Sequence, residues 1–200
     1  VMAKVREWIA DNRIGKIKMV NADFGFRMDW NPESRLLKPE LAGGSLLDVG
    51  VYTISLARMI YSQKPDVIKS MVDMGEAGVD EQASILFKYK DGAMASLFSA
   101  IRTKTAQEAR IMGSKGSIYI PDFWQAESVT LTIEGEKQKY EFPFQSNGYN
   151  CEAVEVINCL QQGKLESDIM PLEESLEIME TMDELRSDWG LVYPFEESKS

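Results

Sequence analysis

The sequence predicts an α+β domain in which a series of short strands forms a sheet and helices cover one face of it. Two observations lead to this fold class. The hydrophobic pattern has a helical period near both ends of the chain and a period of two through its middle. Glycine-containing turns separate the short middle runs, as expected for strands that are joined by hairpins.

The first part of the chain predicts a helix, a strand and a polar loop. Residues 1–12 carry apolar side chains at the spacing of an amphipathic helix, which Gly15 would end. The strand that follows, residues 17–27, alternates apolar and polar side chains, less strictly towards its end. Residues 31–39 then form a proline-containing loop, a natural place for substrate contacts.

A second helix, which runs to about Tyr61, is predicted to lead into seven further strands. These strands are expected near residues 66–74, 82–90, 93–102, 106–112, 117–120, 129–134 and 139–144. Asp91-Gly92 favours a type I′ turn, in which both central residues have positive φ. The strands on either side of this dipeptide should therefore pair antiparallel, and later glycines mark the next hairpins.

Apolar residues occur on both faces of the predicted sheet, which predicts a cover for each face. Helices would cover one face, and a second subunit would meet the other, although scattered exposed apolar residues need no partner. The candidate dimer surface is either the face with Leu97 and Ile101 or the face with Phe87 and Phe98. We therefore expect a homodimer that forms through the sheet.

Two helices are predicted to close the chain, over residues 149–162 and 172–189. Gly163 and Gly190 would end them, and Pro171 is well placed to begin the second one. The stripes expected to face the core are Ala153, Ile157 and Leu160 in the first helix and Leu172, Leu176, Met179, Met182 and Leu185 in the second.

Composition excludes several classes of function. The net charge of -10 disfavours nucleic acid and anionic membrane surfaces, and no apolar run is long enough to span a bilayer. The absence of histidine excludes histidine general bases and the usual zinc sites, so no metal site is expected. Cys151 and Cys159 are too far apart along a helix for a disulfide, which indicates reduced thiols in a cytoplasmic protein.

The segment from residue 43 to residue 52 carries the candidate chemistry. In an α-helix Asp48 and Tyr52 share one face, which is the layout of a proton-transfer pair. The preceding glycine pair would let a ligand approach the helix start, where free N–H groups favour negative charge, so Gly44 is a candidate cofactor contact. The alternative is that the glycines form a turn, Asp48 is solvated and Tyr52 only packs.

Four parts of the sequence together resemble the C-terminal domain of the Gfo/Idh/MocA oxidoreductase family. They are residues 43–58, 109–118, 121–124, and 170–176 with 182–183. Asp48 and Tyr52 match the D-x-G-x-[HY] pattern of the family. With tyrosine at the last position, the chain most resembles the branch of glucose-fructose oxidoreductase and dimeric dihydrodiol dehydrogenase. The similarity covers nearly the whole chain.

The resemblance implies a particular domain organisation. Residues 16–200 would be a substrate-binding and oligomerisation domain with a large, mostly antiparallel open sheet. Residues 1–15 would be the trailing helix of an N-terminal Rossmann domain that this chain lacks. NAD or NADP would bind mainly to that domain, which also holds the catalytic lysine of the family, so no cofactor is expected on this chain alone.

The resemblance also implies oxidation of a hydroxyl group on a sugar, polyol or diol. Asp48 would orient the hydroxyl and Tyr52 would relay its proton, aided by the lysine charge because an ordinary phenol is a poor base at neutral pH. Further candidates for the substrate pocket are Arg27, Phe26, Trp124 and Tyr149. For Phe26 and Tyr149 the alternative is core packing.

Two other interpretations remain open at the level of sequence. In the first interpretation, the chain is a catalytically silent relative that regulates or binds a ligand. In the second, it is an oligomerisation module. Both are open because fold does not fix function. The intact pair of Asp48 and Tyr52 favours the oxidoreductase, because a silent relative has no chemical use for it.

Overall fold

The computed structural model describes residues 1–144 and 148–197, which form one large sheet with helices packed against it. The helices are α1 (Met2–Ala10), α2 (Val51–Tyr61), α3 (Tyr149–Gln161), α4 (Leu172–Trp189) and α5 (Pro194–Glu197). The strands are β1 (Ile17–Gly25), β2 (Val67–Met74), β3 (Asp80–Lys88), β4 (Met94–Ala100), β5 (Ala109–Gly113), β6 (Gly116–Ile120), β7 (Ser128–Ile133) and β8 (Glu136–Glu141). A π-helical turn, Leu46–Gly50, leads directly into α2.

The sheet is open and has the strand order β2-β3-β4-β1-β5-β6-β7-β8. β1 runs parallel to β4, whereas the other neighbouring strands are antiparallel. The predicted α+β fold with a large, mostly antiparallel open sheet is therefore confirmed. Because period-two patterning fixes strand positions well, the strand bounds agree with the predicted ranges to within about three residues.

The prediction of a type I′ turn at Asp91-Gly92 is wrong, although β3 and β4 do pair antiparallel. Gly92 has φ +84°, but Asp91 is not among the residues with positive φ. The Gly92 N–H donates to the Tyr89 carbonyl at 2.9 Å, which closes a β-turn over residues 89–92. The central residues of this turn have negative φ, and the left-handed residue is the glycine at its end. The type I′ pattern occurs instead between β7 and β8, where Glu134 and Gly135 have φ values of 51° and 87°.

The main hydrophobic core lies between one face of the sheet and the helices α1, α2 and α4. Trp8 of α1 is 2% exposed and meets the ring of Tyr140 on β8, with 5.0 Å between the ring centroids. The Arg58 guanidinium of α2 pairs with the Glu177 carboxylate of α4 at 2.6 Å, which ties these helices together. Since α1 shares the core of the sheet, its role as the trailing helix of another domain (residues 1–15) stays a prediction.

The faces of the sheet differ from those assigned to the candidate dimer surface. Phe87 and Leu97 lie on the same helix-covered face of β3 and β4, and both are buried. Ile101, just beyond β4, is buried in a second small cluster. Of the four residues in that prediction, Phe98 alone points to the outer face, which α1, α2 and α4 leave uncovered. The grouping of Phe87 with Phe98 is wrong, because strand register, which decides which side chains share a face, is not visible in the sequence.

The closing helices expose much of their predicted stripes. α4 has the predicted bounds, but Leu172 is 66% exposed and the apolar residues that the helix buries are Ile178, Met182 and Leu185. α3 buries none of its residues, and its Leu160 is 70% exposed. None of the helices in the described part of the chain is long and apolar enough to cross a membrane.

Candidate active site

Asp48 and Tyr52 lie on consecutive turns of the segment that enters α2. Asp48 belongs to the π turn Leu46–Gly50, in which the Val51 N–H donates to the Leu46 carbonyl. Tyr52 lies in the first turn of α2. The predicted helix therefore begins as a π turn rather than as the regular α-helix on which the argument of a shared face rested. Single π turns of this kind are frequent at functional sites.

The glycine pair before the π turn is buried inside the protein. Gly44 has φ +117° and lies against the Asp80 carboxylate, so a Cβ at this position would overlap Oδ1 of Asp80. The carbonyl of Gly43 accepts a hydrogen bond from the buried Tyr193 hydroxyl at 2.9 Å. The two glycines thus let the backbone lie close to side chains of this same chain, those of Asp80 and Tyr193. A cofactor contact of Gly44 stays a prediction.

The Asp48 carboxylate is held by an arginine from the preceding loop. Nη2 of Arg35 donates to Oδ1 of Asp48 at 2.5 Å. The Asp48 side chain is 17% exposed and that of Arg35 is 63% exposed, so this pair contributes little to stability and acts mainly by directing the carboxylate. Arg35 was not among the predicted site residues, because a single arginine at the start of a three-residue 3₁₀ turn has no periodic pattern to mark it.

The Tyr52 ring belongs to an aromatic cluster built on Phe24 of β1. Tyr52 meets Phe24 edge-on with 5.2 Å between centroids, and Trp124 stacks on Phe24 at the same distance. Phe123 also meets Phe24 edge-on, at 6.2 Å. Phe24 is 7% exposed, whereas Tyr52 and Trp124 are 44% and 39% exposed. A buried ring therefore fixes two half-exposed rings, in the paired geometries that aromatic side chains prefer.

A cleft of about 470 Å³ opens beside this cluster. Tyr52 and Trp124 line it together with apolar side chains from α2, and Arg6 and Glu174 supply opposite charges to its wall. Mostly apolar clefts with a few polar groups are typical of small-molecule sites. Asp48 is not part of the lining. Of the two predicted catalytic residues, Tyr52 therefore contacts the cleft and Asp48 lies outside it in this chain.

The other predicted pocket residues lie outside the lining of this cleft. Phe26 is half-buried and packs against both hydrophobic clusters. Arg27 is exposed, and its backbone pairs with that of Arg102 beyond the ends of β1 and β4. Tyr149 begins α3 and is 70% exposed. The structure thus brings Trp124 to Tyr52, and substrate contacts of Phe26, Arg27 and Tyr149 stay predictions.

The first part of the chain shows which protein family it belongs to. Residues 2–119 match the family model of the GFO/IDH/MocA C-terminal domain. The chain belongs to the GFO/IDH/MocA family. Curated relatives include trans-1,2-dihydrobenzene-1,2-diol dehydrogenases from Xenopus tropicalis, 32% identical over 204 residues, and from Mus musculus, 32% identical over 202 residues. These alignments take in 97% and 96% of this chain, which spans 61% and 60% of the length of the two relatives.

Solved structures share the fold. An aldose-aldose oxidoreductase from Caulobacter crescentus, complexed with glycerol, superposes with a TM-score of 0.81 at 21% identity over 92% of this chain and 57% of that one. A 3-ketoreductase from Actinomadura kijaniata, in complex with NADP and TDP-benzene, gives a TM-score of 0.77 at 18% identity over 93% and 58% of the two chains. At these identities the likeness establishes the architecture of the domain.

Proposed function

We propose that this chain is the C-terminal domain of an NAD(P)-dependent dehydrogenase that oxidises a hydroxyl group of a diol, polyol or sugar. The observation that carries the proposal is the half-exposed Tyr52 phenol at an aromatic-walled cleft, one turn after the carboxylate of Asp48. Membership of the family supports it, since the relatives named above are diol dehydrogenases and the ketoreductase structure contains NADP.

Tyr52 and Asp48 divide the proton chemistry between them. Oxidation of an alcohol breaks the O–H bond and the adjacent C–H bond. The proton leaves the hydroxyl oxygen for the oxygen of Tyr52, which acts as a phenolate and becomes a phenol, while Phe24 holds its ring at the cleft. Asp48, directed by Arg35, accepts the hydrogen bond of the hydroxyl and orients it before the proton passes to Tyr52; because Asp48 lies outside the cleft lining, the substrate must reach across from Tyr52 to Asp48. Nicotinamide, when bound, supplies the acceptor for the hydride that leaves the carbon.

The residues of this chain fit a nicotinamide cofactor at its reactive end. Tyr52 and Trp124 are half-exposed and face open space, so a flat ring and a substrate have room beside them. The sequence contains no G-x-G-x-x-G motif after a strand, and the glycine pair at residues 43–44 is buried against Asp80. We propose that the remaining contacts to the cofactor come from a domain outside this chain.

The 200-residue chain by itself is expected to bind neither NAD nor NADP tightly and to oxidise no diol or sugar, because it lacks a phosphate cradle. Isothermal titration calorimetry with each cofactor would measure this, with the full-length protein as the positive control. A dissociation constant in the micromolar range for the isolated chain would contradict the proposed division of labour between domains.

We also propose a homodimer through the outer face of the sheet. Apolar side chains on this face are exposed along β2, β3 and β4: Met71 is 80% exposed, Leu86 51% and Met94 43%. The register places Leu86 between Lys69 and Ser96, and Met94 beside Lys88, so polar side chains lie among these apolar ones on the same face. Exposed apolar side chains with a polar surround on a face that no helix covers are typical of a protein interface.

Replacement of Leu86 and Met94 together by lysine is expected to convert a dimer into a monomer, because two facing copies would then bury unpaired positive charges. Sedimentation velocity of the full-length protein would measure the change. Leu165→Lys is the matched control: Leu165 is 100% exposed and lies outside the sheet, so this variant should sediment as the wild type. A wild-type protein that is monomeric at high concentration would rule out this interface.

A further inference from the structure

Behind the candidate site lies a buried carboxylate that the proposed reaction does not use. Asp80, the first residue of β3, is 0% exposed. Its Oδ2 accepts hydrogen bonds from the Ser45 hydroxyl at 2.8 Å and from the Leu46 N–H at 2.6 Å. Its Oδ1 accepts no hydrogen bond of normal geometry from the described residues. A buried carboxylate oxygen without a partner is costly and therefore calls for an explanation.

Asp80 is a poor contributor to stability near neutral pH. Burial raises the pKa of its carboxyl from 3.8 to about 6, against the opposing effect of the hydrogen bonds from Ser45 and Leu46. The native state thus holds this proton more tightly than the unfolded chain does. The free energy of unfolding must then fall as the pH rises from about 4 to about 6, since the unfolded state binds fewer protons there.

The other titratable and charged groups near Asp80 do not offset its charge directly. Tyr193, whose hydroxyl reaches Gly43, faces Asp80, and burial followed by the charge of Asp80 raises the pKa of this phenol to about 12. The guanidinium of Arg186 lies over the Tyr193 ring, 4.9 Å from its centroid, and is itself paired with Glu196. The groups that donate to the Asp80 carboxylate at the start of the π turn are uncharged: the Ser45 hydroxyl and the Leu46 N–H.

The hydrogen bonds to Oδ2 of Asp80 come from the segment that leads to Asp48 and Tyr52. The Leu46 N–H is the first of the π turn, and the Ser45 hydroxyl also lies 3.0 Å from the hydroxyl of Ser99 on β4. At the other end of the turn, a Cβ on Gly50 would lie 3.3 Å from the Ser99 hydroxyl oxygen, so glycine lets the turn sit directly on β4. The start of β3 and the end of β4 thus hold both ends of this turn.

We propose that Asp80 is a positioning residue: its carboxylate anchors the π turn to β3 and so sets the directions of the Asp48 and Tyr52 side chains. The proposal rests on the proposed function. It explains why a buried charge that lowers stability lies at the first residue of β3, since strain of this kind is commonly retained where it orders a functional site. Asp80 itself does not line the substrate cleft.

The test uses Asp80→Asn in the full-length protein, with trans-1,2-dihydrobenzene-1,2-diol and NADP as probes. The amide keeps the shape but removes the charge that holds the turn. We expect kcat to fall about 10- to 100-fold, the usual cost of misplacing catalytic groups by about 1 Å, with little change in cofactor affinity. Amide hydrogen exchange should become faster across residues 44–53, while the thermal midpoint at pH 8 should not fall, because a buried charge is lost.

Asp73→Asn is the matched control, since it removes the same charge from the exposed end of neighbouring β2 and should leave kcat and exchange unchanged. Ser45→Ala removes one of the two hydrogen bonds and should give a smaller loss of kcat than Asp80→Asn. The proposal is overturned if Asp80→Asn keeps kcat within about twofold, or if kcat falls together with the thermal midpoint and faster exchange throughout the sheet.

A wild-type protein without dehydrogenase activity would refute the proposed function instead. In that case the exchange measurement still decides whether Asp80 holds the turn: exchange across residues 44–53 that is the same in Asp80→Asn as in the wild type would overturn the anchoring.

Discussion

Tyr52→Phe in the full-length protein is expected to lower kcat by about 10²- to 10⁴-fold, the usual contribution of one acid or base group. The substitution removes only the phenol oxygen, and the edge-on contact with Phe24 remains, so the fold and the affinity for cofactor should not change. Steady-state kinetics with a panel of diols and sugars would measure the loss, and calorimetry would measure the cofactor affinity.

Tyr140→Phe is the matched control for this variant, because it also removes one phenol oxygen. The Tyr140 hydroxyl lies on β8, outside the cleft lining, and donates a hydrogen bond to Gln138 at 2.7 Å. Its kcat should stay within about twofold of the wild type. Full activity of Tyr52→Phe would mean that Tyr52 is a packing residue and that another group carries the proton chemistry.

Asp48→Asn is expected to lower kcat by about 10- to 100-fold and also to raise KM, because a group that orients the hydroxyl acts in the ground state as well as in the transition state. The variant also breaks the pair with Arg35. Since Arg35 is 63% exposed, the free guanidinium is solvated and the thermal midpoint should hardly change. Initial rates over a range of substrate concentrations would separate the two kinetic effects.

Glu33→Gln supplies the control, since Glu33 is an exposed carboxylate of the same loop that pairs with Lys38 rather than with the site. The double variant of Asp48 and Tyr52 should lose clearly less activity than the product of the two single losses, because both groups serve one proton. Losses that multiply fully would indicate that the two residues act independently.

Most of the fold could be predicted because local patterns determine it. Alternating apolar residues located β2 to β8, and Pro171 and Gly190 gave the bounds of α4. Register and helix orientation could not be predicted, since they depend on which elements meet. That is why Phe87 was assigned to the wrong face of the sheet, and why α4 buries Ile178 instead of the predicted Leu172.

The candidate site was predictable where a motif marks it and not where packing makes it. Asp48 and Tyr52 were identified from their spacing after the glycine pair, but the π turn between them depends on contacts that are distant in sequence. Asp80 lay just outside the predicted strand, and nothing local distinguishes it from a solvated turn residue. Arg35 likewise lacks any periodic signal. Long-range side-chain contacts therefore completed the site.

The parallel pairing of β1 with β4 has a consequence for how the chain folds. Met19 lies opposite Met94, so the centre of the sheet closes only after the chain has passed through the π turn, α2 and two hairpin strands. Contacts of such large sequence separation form slowly, whereas the meander of β5 to β8 joins neighbours in sequence and should form early. Asp48 and Tyr52 lie in the long segment between β1 and β4. The strands β3 and β4, which hold the π turn, are the last part of this segment to be joined to β1. Refolding experiments should therefore recover the second half of the sheet in an early kinetic phase and the environment of Tyr52 in a late one.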